Sequence, residues 1–322
     1  MTTLSLSLGC ALLAFSPAAS LLLLLLYSKA QLIIVVTTSA FAFLLSSLAS
    51  SIIWIILPAS VRSLPFILIP VSSLCQGACR VGFVSLYIKI ESVISASIQK
   101  HEKDAIRRLR NNTNAEMTDA ERGELENAII GESSRLRLEM NDYSCGFAAG
   151  VGFGGMHALM LYGTLLTSEG MDSEGSGTLY QSSCPEIPSI VNSALNAFMF
   201  EILDIIWMLM TFYGVRRLNN ISEGGKLLSG KFTVGLTVVS HTAAGFTTVL
   251  NLLDSGCLAS LPVLGLIVCS VTFWFSAYIN PIFLPKTHRR RMEGDPSREP
   301  STNSGEPPEA AGMFVGNRAH EE

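Results

Sequence analysis

Charged residues are scarce in this chain of 322 residues, and their scarcity excludes an ordinary soluble domain. Asp, Glu, Lys and Arg make up 15% of the sequence, whereas a soluble domain carries about 25%. Apolar residues make up 49%, and the mean hydropathy is +0.42. The composition therefore predicts an integral membrane protein whose surroundings are the lipid bilayer, and we expect no nucleic-acid partner.

The sequence also lacks the motifs of the common hydrolases. It contains no HExxH zinc-protease motif, and no GxSG motif accompanies His241 for serine chemistry. An intramembrane aspartyl protease needs two aspartates in adjacent spans, and Asp204 is the lone aspartate of its apolar run. The sequence therefore carries no motif that predicts an enzyme, and we expect no metal or other cofactor.

Cysteine spacing gives no metal site either, because none of the seven cysteines forms a C-x-x-C pair. All of them except Cys184 fall in or at the edge of apolar runs. Cys184 and Cys257 are both expected on the lumenal side of the membrane, where a disulfide can form. The sequence leaves a disulfide and two free thiols as alternatives.

Seven apolar runs are long enough to cross a membrane, which takes about 18 residues or more. They cover residues 4–27, 32–57, 64–90, 143–167, 187–215, 231–253 and 257–284. The predicted fold class is therefore all-α, a polytopic bundle of seven transmembrane helices over residues 1–284. A charged cytosolic insertion (91–142) and an acidic lumenal loop (168–186) interrupt the bundle. The tail, 285–322, is rich in Pro, Glu, Ser and Gly, and we expect it to be disordered.

The distribution of basic residues indicates the orientation of the bundle. If the amino terminus is lumenal, the cytosolic segments and their borders hold 20 of the 22 Lys and Arg residues. This bias is what the positive-inside rule expects. We therefore predict a lumenal amino terminus and a cytosolic carboxy terminus. The two N-glycosylation sequons, at Asn111 and Asn220, would then stay unmodified.

The fourth apolar run carries three glycines at four-residue spacing, Gly146, Gly150 and Gly154. On a helix these positions form one face without side chains, so a second helix backbone can approach closely. Each internal glycine costs about 1 kcal/mol relative to alanine, which favours a packing role over chance. We predict a helix-packing seam that supports assembly, with this helix as the hub of the bundle.

Ionisable residues well inside the spans are few, and they lie at similar depths. They are Arg80, His157, Glu201, Asp204 and His241. Charged groups in hydrocarbon are costly and usually pair with one another. We predict a buried polar network that fixes helix register, including Gln76, in which a hairpin of the fifth and sixth spans brings Asp204 near His241. A metal centre or an acid–base pair is the alternative.

Several of these features together resemble the anterior-pharynx-defective subunit family of gamma-secretase. They are the motif GCxxxAFxPA at residues 9–18, Leu48-Ala49-Ser50 followed by Trp54, Gln76 with Arg80, the three glycines, Ser240-His241, and Ala259-Ser260-Leu261-Pro262. The resemblance covers all seven spans in order, but not the insertion or the tail. Gly77 and Asp204 stand where the family usually has a glutamate and a histidine.

The resemblance implies a non-catalytic scaffold that assembles with presenilin, nicastrin and the presenilin enhancer subunit. It further implies processing of type I membrane proteins, a part in Notch signalling, and residence in the endoplasmic reticulum, Golgi and plasma membrane. Two other functions stay open. One is a zinc-dependent lipid hydrolase built from His157, His241 and either Asp204 or Glu201. The other is a seven-span receptor, suggested only by the dipeptide Asn280-Pro281.

Overall fold

The structure, a computed structural model, describes residues 2–27, 29–62, 64–112, 142–166, 180–181, 184–219 and 229–279. These residues contain seven helices that are long and apolar enough to cross a membrane, so the predicted all-α class and helix number are confirmed. The helices are α1 (Thr2–Leu21), α2 (Ala30–Ile56), the short α3 (Ala59–Arg62), α4 (Pro65–Asn112), α5 (Asp142–Ala158), α6 (Ser189–Asn219), α7 (Gly230–Val249) and α8 (Cys257–Trp274).

Short turns of other helix types continue four of these helices. One-turn π-helices follow α1 (Leu22–Leu26), α5 (Leu159–Gly163) and α8 (Phe275–Ile279), and a 3₁₀ turn follows α7 (Leu250–Leu252). A two-stranded antiparallel ribbon of β1 (Tyr180–Gln181) and β2 (Cys184–Pro188) precedes α6. Most of the predicted lumenal loop, the second part of the charged insertion and the tail lie outside the described residues.

Helix α4 is longer than the sequence predicted. Its 48 residues correspond to about 72 Å, whereas the hydrocarbon core is about 30 Å thick. The helix therefore runs past residue 90, where the apolar run ends, and includes the first part of the charged insertion. Residues 91–112 contain neither glycine nor proline, so nothing in the local sequence stops the helix.

Two helices form the centre of the bundle. In the membrane-spanning stretch of α6, 83% of the residues are buried, and in α5 the share is 61%. The outermost helices are α1 and α8, with 11% and 17%. The glycine helix α5 is thus central, as expected of a hub, but α6 is the more deeply buried of the pair.

The two ends of the bundle are tied by different chemistry. At one end a disulfide joins Cys184, at the beginning of β2, to Cys257, at the beginning of α8. This pairing decides between the two alternatives that the sequence left open. At the other end the Arg216 guanidinium of α6 donates to Asp142 Oδ1 at 2.6 Å and also to the Glu91 carboxylate. It thereby joins α4, α5 and α6.

Candidate functional site

The three glycines of α5 all face α6. A Cβ atom at Gly150 would lie 2.7 Å from the Ile205 Cα, and one at Gly154 would lie 3.0 Å from the Glu201 carbonyl oxygen. At Gly146 an added Cβ would meet only side-chain atoms, at 3.2 Å. Backbone atoms cannot move aside as side chains can, so Gly150 is the one of these three glycines at which a side chain is least tolerable. The seam lies inside this chain, and its role in assembly with other subunits stays a prediction.

A second seam on α5, against α2, was not predicted from the sequence. A Cβ atom at Gly152 would overlap the carbonyl oxygen of Val36 and the hydroxyl of Ser39, both on α2. The signal was present, because Ser144, Ala148 and Gly152 form another small-residue ridge at four-residue spacing. Two residues correspond to about 200° around a helix, so the two ridges face opposite sides. Helix α5 is therefore packed closely between α2 and α6.

Asp204 is the centre of the buried polar network. It is 0% exposed on α6, and both carboxylate oxygens are bonded. Oδ2 accepts from His157 Nδ1 at 2.7 Å, and Oδ1 accepts from the Arg80 guanidinium. Arg80 Nη1 lies 3.2 Å from His241 Nδ1. One residue from each of α4, α5, α6 and α7 therefore meets at this point.

The hydrogen-bond pattern fixes the protonation of His241. A guanidinium has only donors, so Nδ1 of His241 accepts the bond from Arg80, and the ring proton is on Nε2. The imidazole is therefore neutral, and the Arg80 and Asp204 charges balance each other. The similar depths of Asp204 and His241 predicted that they lie side by side, but Arg80 lies between them and the aspartate bonds instead to His157. Counting residues along helices gives depth and does not say which faces meet.

Aromatic rings enclose the charged groups. The Arg80 guanidinium carbon lies 4.4 Å from the ring centroid of Phe153 and 5.3 Å from that of Trp207, both within cation–π range. Trp207 stacks on His241 with centroids 4.5 Å apart, and its Nε1 donates to Ser240 Oγ at 2.8 Å. These rings separate the ion pair from the lipid and hold Arg80 and His241 in place.

Glu201, one turn before that aspartate on α6, does not join the network. It is 0% exposed, and its Oε1 accepts a bond from the Ala18 backbone N–H of α1 at 2.7 Å. Within the described ranges its Oε2 has no hydrogen-bond partner. Ala18 directly follows Pro17, which interrupts the hydrogen bonds of α1. Glu201 therefore connects α6 to α1 at the proline.

Gln76 lies one turn before Arg80 on α4 and is also buried. Neither its Oε1 nor the Nε of Arg80 has a hydrogen-bond partner in the part of the chain that the structure describes. Of the six residues predicted to form one network, the structure thus brings four into direct contact. Gln76 lies beside them, and Glu201 makes a separate contact.

The arrangement of these four side chains is better suited to holding the helices in place than to carrying out a reaction. A catalytic zinc needs about three protein ligands around an open position. Here the Arg80 guanidinium occupies the space between the Asp204 carboxylate and His241, and its positive charge disfavours a cation. Exposure of these side chains is also low, and the most exposed residue, His157, is 8% accessible. Both oxygens of the Asp204 carboxylate are already bonded to protein side chains.

The fold and this site define a seven-helix membrane protein whose buried charges pair with one another. The model of the Aph-1 protein family matches residues 5–280, which include all seven stretches that are long and apolar enough to span a membrane. This chain belongs to the Aph-1 family, so the family that the sequence resembled is confirmed. It is also similar to a gamma-secretase subunit APH1-like protein of Arabidopsis thaliana. The two are 25% identical over 270 residues, which cover 82% of this chain and 89% of that protein.

Proposed function

We propose that this chain is a non-catalytic scaffold subunit of a gamma-secretase complex. Its role is the assembly and stability of the intramembrane aspartyl protease that processes type I membrane proteins, including Notch. Family membership and the name of the Arabidopsis relative support this proposal. The partners are presenilin, nicastrin and the presenilin enhancer subunit.

The pairing of Arg80 with Asp204 is the observation that carries the proposal. Side chains from four helices bond to one another, and the Arg80 and Asp204 charges balance. These contacts hold α4 to α7 in register and leave the Asp204 carboxylate closed to a substrate. A scaffold needs this property, because its outer faces bind partners only if its helices keep fixed positions. No observation favours the lipid hydrolase or the receptor, and Asn280-Pro281 lies outside the described residues.

The outer helices supply surface for partners. Large apolar side chains such as Leu12 on α1 and Phe273 on α8 are 66% and 72% exposed. Such side chains contact lipid in an isolated subunit and can contact partner helices in a complex. Helix association in lipid depends on close packing and not on hiding apolar surface from water.

The proposal includes the orientation and location of the chain. The amino terminus is lumenal and the carboxy terminus cytosolic, in the endoplasmic reticulum, Golgi and plasma membrane. The glycosylation state of Asn111 and Asn220 tests the orientation. Both sequons lie on the cytosolic side in this proposal, so treatment with a glycosidase should not change the mass of the protein. A shift that disappears in Asn111→Gln or Asn220→Gln would reverse the proposed orientation.

Co-purification tests the proposed function directly. Tagged full-length chain is extracted in mild detergent and its partners are identified by mass spectrometry. We expect presenilin, nicastrin and the enhancer subunit at similar amounts. Gly150→Leu should reduce this yield severalfold, because it separates α5 from α6. The matched variant Gly82→Leu should not, since a Cβ at Gly82 meets no atom of the described chain within 4 Å. Recovery of the wild-type chain without presenilin would contradict the proposal.

A further inference from the structure

A groove of about 430 Å³ lies between the end of α2 and the beginning of α4. Ile55 and Leu57 form one wall, and Leu68 and Val71 form the other. A volume of this size falls within the range of small-molecule sites. The groove is separate from the buried polar network, and neither the scaffold role nor the paired charges account for it.

Two of the three serines that line the groove bond within their own helix. Ser50 Oγ donates to the Ser46 carbonyl at 3.0 Å, and Ser51 Oγ donates to the Ser47 carbonyl at 2.9 Å. Because these hydroxyls bond within their own helix, they present mainly carbon to the groove. An occupant of the groove must therefore be apolar along this part of its length.

Arg62 of α3 is held near the end of the groove where α2 terminates. Its Nε donates to the Leu57 carbonyl at 2.7 Å, its Nη2 donates to the Ile55 carbonyl, and its guanidinium carbon lies 5.0 Å from the Trp54 ring centroid. Nη1 makes no hydrogen bond to the described residues. The connection from 58 to 64 contains no acidic residue. A positive charge is therefore fixed close to an apolar groove.

The order of these features along α2 matches the order of groups in a phospholipid. The 27 residues of α2 extend about 40 Å, so its ends reach the headgroup region on either side of a core of about 30 Å. Arg62 lies at such an end. Trp54 lies at interface depth, with Ile55 and Leu57 beyond it at the end of α2. On the other side of Trp54 the groove continues towards the core along Ser50 and Val71. From Leu57 to Ser50 the groove extends about 10 Å towards the core.

We propose that this groove binds one membrane phospholipid, with its phosphate at Arg62 and an acyl chain between α2 and α4. Guanidinium groups bind phosphate oxygens well, and the fixed position of Arg62 lowers the entropy cost of that contact. A diacylglycerol or sterol would fill the groove but leave the charge unmatched. A helix of another subunit that carries no acidic group would likewise leave the charge of Arg62 unmatched.

Photocrosslinking in membranes tests this site. The probe is phosphatidylcholine with a diazirine in one acyl chain, added to membranes that contain the full-length chain expressed without its partner subunits, so that Phe273 on α8 contacts lipid. We expect crosslinks on residues 50–57 and 68–72 at least fivefold above those around Phe273, which is 72% exposed on α8. Equal labelling at both places would show only surrounding bulk lipid and would overturn the proposal.

Charge variants separate phosphate binding from simple insertion of a chain. Arg62→Gln should lower crosslinking at the groove at least threefold, whereas Lys231→Gln, which removes an exposed basic residue at the beginning of α7, should leave it unchanged. A diacylglycerol probe with the same diazirine should label both proteins weakly and equally. If Arg62→Gln has no effect, or if diacylglycerol labels the wild type as strongly as phosphatidylcholine does, the phosphate site is refuted.

A second variant fills the groove and leaves the charge in place. Ser72→Trp should reduce crosslinking by phosphatidylcholine at least threefold, since Ser72 lines the groove. An intact Cys184–Cys257 disulfide and normal recovery of partners show that each variant is folded. Loss of the crosslink with normal assembly separates this site from the scaffold function. Unchanged crosslinking in folded Ser72→Trp would contradict the assigned groove.

Discussion

Two buried carboxyl groups lie one helical turn apart on α6, and they are satisfied in different ways. Asp204 binds side chains from α4 and α5, and Arg80 extends the contact to α7. Among the described residues, Glu201 accepts a hydrogen bond only from the backbone N–H of Ala18 on α1. Both residues are 0% exposed, so the difference is in the partners and not in burial.

The comparison shows that a buried acid in a membrane helix can have two structural roles. At Asp204 two opposite charges come from different helices, and either alone would be an unpaired charge in a low-dielectric interior. At Glu201 the partner is one neutral N–H group, and an uncharged acceptor could replace the carboxyl. Removal of the Asp204 carboxylate should therefore affect the packing of four helices, whereas removal of the Glu201 carboxyl should affect only the contact with α1.

Asp204→Ala should give the largest effect. It leaves the Arg80 guanidinium buried without its counter-ion, and breaking a buried pair in this way costs about 3–5 kcal/mol. We expect that loss in the free energy of unfolding, measured by SDS denaturation in mixed micelles, with a lower yield of assembled complex. Asp254→Ala, at an exposed position between α7 and α8, is the control and should change stability by less than about 0.5 kcal/mol. Equal stability of the two variants would remove the distinction between the two acids.

His241→Ala should give the next largest loss in the free energy of unfolding. It removes the acceptor of Arg80 Nη1 and the ring that stacks on Trp207, but the Arg80–Asp204 pair remains. An unsatisfied buried donor costs about 1–3 kcal/mol, so the loss should be smaller than for Asp204→Ala in the same denaturation assay. A larger loss than that of Asp204→Ala would place the centre of the network at the histidine.

Gly150→Ala tests whether the close approach of α5 supports the Asp204 contacts. The added methyl would lie 2.7 Å from the Ile205 Cα, so α5 and α6 must separate, which typically costs about 1–3 kcal/mol. Gly82→Ala has open space around its Cβ and should be neutral, or stabilising by up to about 1 kcal/mol. Thermal unfolding in detergent of the two variants gives the comparison. Equal melting temperatures would show that the seam is not tightly packed.

Glu201→Gln should give the smallest effect. The amide oxygen of glutamine can accept the same bond from Ala18, and the structure gives Glu201 Oε2 no partner among the described residues. We expect a change within about 0.5 kcal/mol. Glu201→Leu leaves the Ala18 N–H unsatisfied and should cost about 1–3 kcal/mol. If Glu201→Gln and Glu201→Leu lose equal stability, the negative charge of Glu201 contributes to stability. The proposed difference between Glu201 and Asp204 would then be wrong.

The helices and the residues of the site could be predicted from the sequence because each depends on local pattern. Long apolar runs define spans, and charged residues such as Arg80 and Asp204 stand out inside them. The glycine ridge at Gly150 followed from spacing alone. All of these signals are visible without knowing how helices are arranged around one another.

Pairing between helices could not be predicted, because it depends on rotation about each helix axis. Residue counts placed Asp204 and His241 at the same depth, but the long side chain of Arg80 reaches between them. The contact between Glu201 and Ala18 could not be predicted because the partner is a backbone N–H group, which no residue type in the sequence marks. Gly152 was overlooked because its ridge includes serine and alanine.

The claim that the Arg80–Asp204 pair is structural and not catalytic is tested most directly by replacing both residues with apolar ones. Arg80→Met and Asp204→Leu each leave one buried charge, whereas the double variant leaves none, and such replacements are often neutral. Each single variant and the double variant are expressed in cells that lack the endogenous subunit. Complex assembly and presenilin-dependent cleavage are then measured together. We expect both to recover in the double variant to well above either single variant. Recovery of assembly without recovery of cleavage would contradict the account and assign the pair a chemical role.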